Sequence, residues 1–398
     1  MLTVAEALDR ILSVIPELPT EAVHTSAATG RVLRQVVEAE RDQPPFDRVM
    51  MDGIAIRHAD LAGGTSEFPV QDTQMAGDPA LALLPGQCIE IMTGASLPAN
   101  ADCIIPIERI SVSSGVATLE KEYRAEPRQF IHPCASDHAA GTSLLTPGRR
   151  VSALDIAVIA TAGLTRVEVS RSPRVRVIST GNELVPAGTP IEPHQVRLSN
   201  GPAIQALLAQ HGYRDTEHDH LADERSVLRE RIAAHLAEAD VMILSGGVSM
   251  GKADYVPEVL ADLGVKVNFH RISQRPGKPM WFGSGPNGQA VFALPGNPVS
   301  ALVCCRHYVI PALARAATEA ARMPEFASLA SDVTFKPQLT CFQPVRLISN
   351  AAGQVLAMPV KTNTSGDFTA LSGTDGYVEL ALEQTQFPAG TPVFLHRW

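Results

Sequence analysis

The 398-residue sequence has few aromatic residues (5%), no excess of positive charge and no unbroken apolar run of membrane-spanning length. Lysine and arginine number 33 against 42 aspartates and glutamates, which gives a formal net charge of −9. An acidic chain is a poor general binder of nucleic acid. The uncharged stretch 279–305 is interrupted by glycines and prolines that no lipid-exposed helix would carry. We therefore expect neither nucleic acid nor a membrane as a partner.

Two further absences concern the compartment. No positively charged segment precedes an apolar one at the N-terminus, so these residues do not fit a signal peptide. The six cysteines form no CxxC pair, and buried, reduced thiols are the plain interpretation. These features predict a cytoplasmic protein.

The pattern of apolar residues divides the chain. Helical spacing predicts an N-terminal helix that ends before Pro16. Short apolar runs between Gly/Pro turns predict all-β modules over 68–135 and again after Pro324. Over 173–323, strands alternate with helices, which predicts a parallel α/β sheet covered on both faces.

Three loops of the α/β region share one design, because each follows an apolar strand and contains glycine. Glycines there let backbone N–H groups approach an anion, and the following helix N-terminus adds its dipole. Ligands of such sheets bind beyond the carboxyl ends of the strands. Three such loops at one edge favour a phosphate-bearing ligand over ordinary turns. The candidate binding residues are Gly181, Ser245, Gly246, Gly247, Ser249, Gly251, Pro295, Gly296, Asn297 and Pro298.

Charged residues accompany these loops. Arg271, Arg275 and Lys278, next to prolines and a glycine, suit a rigid loop that binds oxyanions, with a solvated surface loop as the alternative. Glu183 and Asp254 leave strands and would suit Mg²⁺ held by carboxylates and substrate phosphates.

For other acids and histidines, structural roles compete. Asp223 is a candidate Mg²⁺ ligand, but it could also cap a helix. Asp219 is expected to be structural. His218 and His220 could face one way on a strand, but a metal there is not favoured. From the residues alone, Asp52 and Thr93 lie in turns.

Six segments, in this order over most of the chain, resemble the molybdopterin molybdenumtransferase family, which includes bacterial MoeA and the gephyrin E domain. The set is more specific than any one fragment, since two of the segments also occur in adenylyltransferases related to the middle domain. The segments are PPFDRVMMDGIAIR, IMTGASLPANAD, VISTGNEL, LSGGVSMGKADY, RPGKPMWFG and LPGNPVSA.

The resemblance implies a multidomain fold with a central parallel α/β sheet of the molybdopterin-binding type and all-β modules. It divides the chain into an elongated linking domain (1–43 and 138–172), a β-rich module (44–137), the α/β domain (173–323) and a C-terminal β-barrel-like domain (324–398).

The resemblance also implies a reaction. Family members take adenylylated molybdopterin and molybdate, cleave the phosphoanhydride with Mg²⁺, release AMP and produce molybdenum cofactor. The implied assembly is a homodimer with its site shared between subunits, in contact with the adenylyltransferase and with acceptor molybdoenzymes.

The family's motif residues fall on specific positions of this chain. The implied catalytic residues are Asp52, Thr93, Asp137, Glu183, Asp223 and Asp254, of which the last three are the candidate Mg²⁺ ligands. The implied cationic loop is Arg271, Arg275 and Lys278.

The sequence departs from the family pattern at several places. Val49, Met50 and Ile54 stand where many members have serine, alanine and tyrosine. Arg271 and Arg275 stand where lysine is common; arginine keeps the charge but cannot exchange protons near neutrality. These arginines could mark a preference for another oxyanion such as tungstate. The alternatives to the transferase are the preceding adenylylation step and a non-catalytic cofactor-binding scaffold.

Overall fold

The computed structural model describes residues 1–247, 255–364 and 366–398. The N-terminal helix carries a capping box, in which Thr3 and Glu6 exchange backbone and side-chain hydrogen bonds, and it ends at Val14, ahead of Pro16. It packs against the last helix of the α/β region, with Val4, Ala7 and Ile11 buried. The elements of 1–43 are α1 (Val4–Val14), β1 (Thr20–His24), a 3₁₀ turn (Thr25–Ala27) and β2 (Val37–Glu38).

Residues 44–137 form a β-rich module around a six-stranded sheet of order β7-β4-β6-β5-β9-β8. Its two hydrophobic cores contain residues of this module alone. The elements are β3 (Arg48–Val49), β4 (Gly53–Ile56), α2 (His58–Ala62), β5 (Glu67–Gln74), β6 (Cys88–Ile91), β7 (Cys103–Pro106), a 3₁₀ turn (Ile107–Arg109), β8 (Ile110–Ser113), β9 (Val116–Leu119) and β10 (Ile131–His132).

Residues 138–172 pair with the N-terminal segment of the chain. Two antiparallel pairs, β12 with β1 and β11 with β2, join residues 138–172 to residues 1–43. The elements here are β11 (Ser143–Leu145), α3 (Ala153–Thr161) and β12 (Arg166–Ser170).

Residues 173–323 form a six-stranded sheet of order β16-β13-β17-β21-β20-β18. Hydrophobic cores lie on both of its faces. The elements are β13 (Val175–Thr180), β14 (Leu184–Val185), β15 (Val196–Arg197), α4 (Asn200–Gln210), β16 (Thr216–Leu221), α5 (Arg225–Glu238), β17 (Val241–Ser245), α6 (Val256–Asp262), β18 (Lys266–His270), β19 (Gln274–Arg275), β20 (Trp281–Ser284), β21 (Ala290–Leu294), α7 (Pro298–Cys304), a π-helical turn (Cys305–Val309) and α8 (Ile310–Ala316).

One strand of this sheet runs against the others. β20 pairs antiparallel with both β18 and β21, whereas the other pairs are parallel. Parallel neighbours need a long crossover, usually a helix, and β20 is joined to its neighbours by helix-free loops, 271–280 and 285–289. The sheet is therefore mixed at one end and parallel over β16, β13, β17 and β21, the last three of which are followed by the glycine loops.

The C-terminal residues form a closed five-stranded barrel. Its strands follow the ring β24-β25-β22-β28-β26, and β26 pairs back to β24. The elements are β22 (Glu325–Leu329), β23 (Val333–Thr334), β24 (Thr340–Ser349), β25 (Val355–Pro359), α9 (Phe368–Leu371), β26 (Gly376–Leu380), β27 (Gln386–Phe387) and β28 (Pro392–Arg397).

The predicted fold class is confirmed: an α/β core accompanied by all-β modules, one of them a barrel. The exact domain boundaries stay a prediction. All six cysteines are free thiols, and five are buried. Cys134 is exposed, in the loop after β10, so the expectation of burial was wrong for this residue. Over the described ranges, no helix has the length and apolar character needed to cross a membrane.

Candidate functional site

The four parallel strands of the α/β sheet end together. Thr180 is in register with Leu221, Ser179 with Ser245, and Ser245 in turn with Leu294. The loops that follow these strands therefore leave the same edge of the sheet, as the sequence predicted. They begin at Gly181, Ala222, Gly246 and Pro295.

The cationic loop leaves the same edge. His270, the last residue of β18, is in register with Trp281, and Trp281 with Ala293 near the end of β21. Residues 271–280 thus begin and end at the same sheet edge, on the side of the loop that begins at Pro295. Arg271, Arg275 and Lys278 are all exposed, so their charges are accessible to a ligand.

The turn at Gly246 and Gly247 requires glycine. Both residues have positive φ, +100° and +65°, and a Cβ at Gly246 would lie 2.5 Å from the Thr180 carbonyl oxygen. Gly296 approaches the same turn, since its Cβ would lie 3.8 Å from the Gly246 Cα. Main chain of two loops therefore meets at the strand ends, where N–H groups can approach an anion.

Two of the candidate acids stand on adjacent loops. The backbone N–H of Asp223 donates to Oδ1 of Asn182 over 3.0 Å, which joins the loop after β16 to the loop after β13. The Glu183 carboxylate lies over Gly181, where a Cβ would come 2.7 Å from Oε2. The Nε2 atom of His220 lies 2.9 Å from the Gly181 carbonyl oxygen and donates to it. The fold therefore brings Glu183 and Asp223 together at the sheet edge.

Glu183 and Asp223 carry the oxygen donors that a magnesium site would use. Carboxylate oxygens are the protein ligands that Mg²⁺ prefers, and it commonly takes one or two of them together with substrate phosphates. Among the described residues no group of three or more acids, histidines or cysteines could hold a metal, so these acids would depend on substrate oxygens or on Asp254. Asp254, Ser249 and Gly251 lie outside the described residues.

An open groove of about 800 Å³ lies next to Asp223. This is within the range of small-molecule sites. Its described lining includes Glu224, Arg225, Arg229 and Tyr255. Both arginines pair with Asp262, over 3.0 and 3.7 Å.

The contacts of Asp223 and Asp219 decide whether each acid has a structural role. Helix α5 begins at Arg225 with Glu224 as its N-cap, so Asp223 does not cap it. Asp219 is structural, as expected: its Oδ2 accepts from Arg231 and His235 over 2.6 and 2.8 Å. Burial raises the pKa of Asp219, but these hydrogen bonds outweigh it and hold the pKa below the usual value.

His218 and His220 lie on one face of β16, as the sequence suggested, and each has a polar partner within the chain. Nε2 of His218 lies 3.0 Å from the Ser179 hydroxyl. Gly201 makes room for this ring, since a Cβ there would lie 2.0 Å from Nε2. The histidine pair therefore supports the strand ends.

A second group of candidate residues lies on the β-rich module. Oδ1 of Asp52 accepts from both the backbone N–H and the hydroxyl of Thr93, each over 2.6 Å. Both hydrogen bonds lower the pKa of Asp52 below its usual value, and the bond from the Thr93 hydroxyl has the larger effect. This carboxylate is therefore ionised at neutral pH, and the residue is exposed.

Asp137 belongs to this second group through a histidine. Nδ1 of His132 accepts from Arg48 over 3.0 Å. Because arginine can only donate, the ring proton lies on Nε2, which faces Oδ1 of Asp137 over 3.2 Å. The module shares neither hydrophobic core with the α/β sheet. The fold thus gives two separate groups of candidate residues, one at the sheet edge and one on the module.

No sequence pattern singled out Asn200, the first residue of α4. Its Nδ2 donates to the Ser245 hydroxyl over 2.9 Å and to the Gly296 carbonyl oxygen over 2.8 Å. The side chain thereby ties together the loops after β17 and β21. Oδ1 of Asn200 and the hydroxyl of Thr180 are buried without a hydrogen-bond partner in the described part of the chain. The signal that could have found Asn200 is the Ser199-Asn200 pair at the start of α4. A helix needs only one capping residue, so the second polar residue is available for another contact.

Replacing Asn200 with alanine should lower activity about tenfold, because two hydrogen bonds between the loops are lost. Ser199→Ala is the matched control, since Ser199 opens the same helix without a side-chain cap. Steady-state rates and thermal transitions of both variants provide the measurement. Equal losses in the two variants would show that the loop contacts of Asn200 do not matter.

Three family models match the chain in order. They are the MoeA N-terminal region (domain I and II) over residues 2–163, a probable molybdopterin binding domain over 176–315 and the MoeA C-terminal region (domain IV) over 327–397. Together they cover most of the sequence, including both groups of candidate residues.

Similar proteins agree over the whole length. A molybdopterin molybdenumtransferase of Synechocystis sp. is 38% identical over all of both chains. One from Staphylococcus epidermidis is 31% identical over 98% of this chain and 94% of its own. The crystal structure of a molybdopterin biosynthesis MoeA protein from Pyrococcus horikoshii OT3 superposes with a TM-score of 0.83 at 26% identity, covering all of both chains. The chain belongs to the MoeA family of molybdopterin molybdenumtransferases.

Proposed function

We propose that this chain inserts molybdate into adenylylated molybdopterin and releases AMP, which gives molybdenum cofactor. The observation that carries the proposal is the convergence of four strand-end loops and the cationic loop at one sheet edge. Such an edge can hold a pyrophosphate and an oxyanion side by side. The names of the chain's relatives support a molybdopterin-related substrate and the transfer of molybdenum, and the adenylylated form and the molybdate anion are part of the proposal.

Each part of the edge has a role in this proposal. The main chain at Gly181, Gly246 and Gly296 holds the pyrophosphate. Glu183 and Asp223, with Asp254, would hold Mg²⁺, which supplies charge stabilisation when the phosphoanhydride is cleaved. Arg271, Arg275 and Lys278 hold the molybdate dianion.

We further propose a homodimer whose site is completed by the partner's β-rich module. Asp52, Thr93 and Asp137 lie on a module with cores of its own. Residues on such a module can complete a site on a second chain. This arrangement accounts for the presence of two separate polar groups in one chain.

An assay of the wild-type protein tests the function. Adenylylated molybdopterin, Mg²⁺ and molybdate should yield AMP and cofactor in equal amounts. Arms with tungstate, and with molybdopterin plus ATP, test the oxyanion preference and the preceding adenylylation step. Nucleotide transfer from ATP without AMP release from the adenylylated substrate would contradict the proposal, and so would tight pterin binding without turnover.

Replacing Arg275 with alanine should raise the KM for molybdate about tenfold and leave pterin binding within about twofold, since one charged hydrogen-bonding group is removed from the oxyanion side. Exposed Arg214, on the loop before β16, is a control for loss of a positive charge. Initial rates at varied molybdate give the first quantity and titration with the adenylylated pterin gives the second. Equal weakening of both ligands would remove Arg275 from oxyanion binding.

A further inference from the structure

A fully buried glutamine lies inside the cationic loop. Gln274 has no exposed surface, although exposed Arg275 follows it directly. Its Nε2 donates to the Pro276 carbonyl oxygen over 3.0 Å and lies 3.4 Å from Sγ of Cys304. Its Oε1 accepts from the hydroxyl of Tyr308. A buried polar side chain with all these partners fixes the conformation of the segment that carries it.

The orientation of the Gln274 amide follows from its partners. The Pro276 carbonyl can only accept, so the amide nitrogen must face it. The oxygen then faces Tyr308, whose hydroxyl donates. Tyr308 lies in the π-helical turn Cys305–Val309, and Pro311, two residues after this turn, has no N–H for the regular helical ladder. The end of α7 and this turn therefore form the floor of the loop.

The loop backbone is held against the same floor and against two other parts of the chain. A Cβ at Gly277, which has φ +94°, would lie 2.4 Å from Sγ of Cys304. The N–H of Ser273 donates to the Leu2 carbonyl oxygen over 2.8 Å. Gln274 and Arg275 form β19, which pairs with β24 of the C-terminal barrel. The Gln274 side chain links this backbone to the buried helix, together with the Cys304 thiol, which lies 3.9 Å from the Gly277 carbonyl oxygen.

We propose that Gln274 is a positioning residue for oxyanion binding: through Pro276 it sets where Arg275 and Lys278 present their charges. The inference rests on the proposed function, because it takes the oxyanion to be bound by this loop. Gln274 touches no ligand itself. Its effect is confined to the oxyanion, since the glycine loops that hold the pyrophosphate belong to other strands.

Two variants separate positioning from stability. Gln274→Met keeps the length and removes both polar groups, so it releases Pro276. Tyr308→Phe leaves Oε1 of Gln274 without its partner but keeps the bond to Pro276. Each variant loses a buried hydrogen bond and should unfold at a lower temperature. Only the first should move the cationic side chains.

Gln274→Met should raise the KM for molybdate about tenfold, equivalent to about 1.4 kcal/mol. It should leave kcat and the KM for adenylylated molybdopterin within about twofold, because the pyrophosphate side is intact. Equilibrium dialysis should show the same tenfold weakening of molybdate binding. Tyr308→Phe should change the molybdate KM less than about threefold despite its loss of stability.

Several outcomes would overturn the inference. An unchanged molybdate KM in Gln274→Met would do so. So would increases in the molybdate KM of the two variants that are proportional to the decreases in their unfolding temperatures. If the wild type binds molybdate in dialysis but releases no AMP, the proposed function fails, and dialysis of the two variants still decides the role of Gln274.

Discussion

Replacing Glu183 with glutamine is expected to lower AMP release at least about 100-fold, because a charge that would hold the divalent ion next to the phosphoanhydride is removed. The shape of the side chain is kept. No described residue hydrogen-bonds to this carboxylate, so the thermal transition should move by less than about 2 °C. The Mg²⁺ concentration for half-maximal rate should rise as well.

Glu192→Gln is the matched control. Glu192 lies on the same segment between β13 and α4, and its side chain is exposed. It should behave as wild type in rate, Mg²⁺ dependence and stability. Full activity of Glu183→Gln with an unaltered Mg²⁺ requirement would exclude Glu183 from the mechanism.

Replacing Gly246 with alanine should destabilise the α/β region by about 3 kcal/mol and abolish turnover. The φ of +100° is costly for any residue with a Cβ. The new methyl group would also lie 2.5 Å from the Thr180 carbonyl oxygen, a backbone atom that cannot rotate away. The turn must then shift, which separates the main chain of the loop after β17 from that of the loop after β21.

Gly188→Ala separates the cost of the positive φ from the cost of the steric clash with the Thr180 carbonyl oxygen. Gly188 has a similar φ of +86°, but a Cβ there would meet nothing within 4 Å. This variant should lose only about 1 kcal/mol and keep its activity. Urea unfolding and AMP release measured on both variants make the comparison. Equal losses of stability would contradict the crowding assigned to Gly246.

Much of the fold follows from local patterns in the sequence. The helical spacing before Pro16 predicts α1, and its observed end at Val14 agrees. The alternation of strands and helices predicts the sheet and, through the parallel rule, the shared edge of the glycine loops. These features depend on residues close together in the chain, so they can be read from periodicity and turn residues.

The parts of the site that could not be predicted depend on contacts between distant residues. Asn200 bonds to Ser245 and Gly296, 45 and 96 positions away. Gln274 meets Tyr308, 34 positions away. A single polar residue in an apolar or turn-rich stretch does not reveal its partner. The sequence also left the capping role of Asp223 open, because a local pattern does not fix the first residue of a helix to within one position, and α5 begins after Glu224.

We propose that the strand-end edge holds both substrates. A crystal structure of the protein soaked with AMP, Mg²⁺ and molybdate would locate both ligands. We expect the nucleotide phosphate against the main chain of Gly181, Gly246 and Gly296, with the oxyanion next to Arg275 and Lys278. Nucleotide and oxyanion bound elsewhere, with this edge empty, would contradict it.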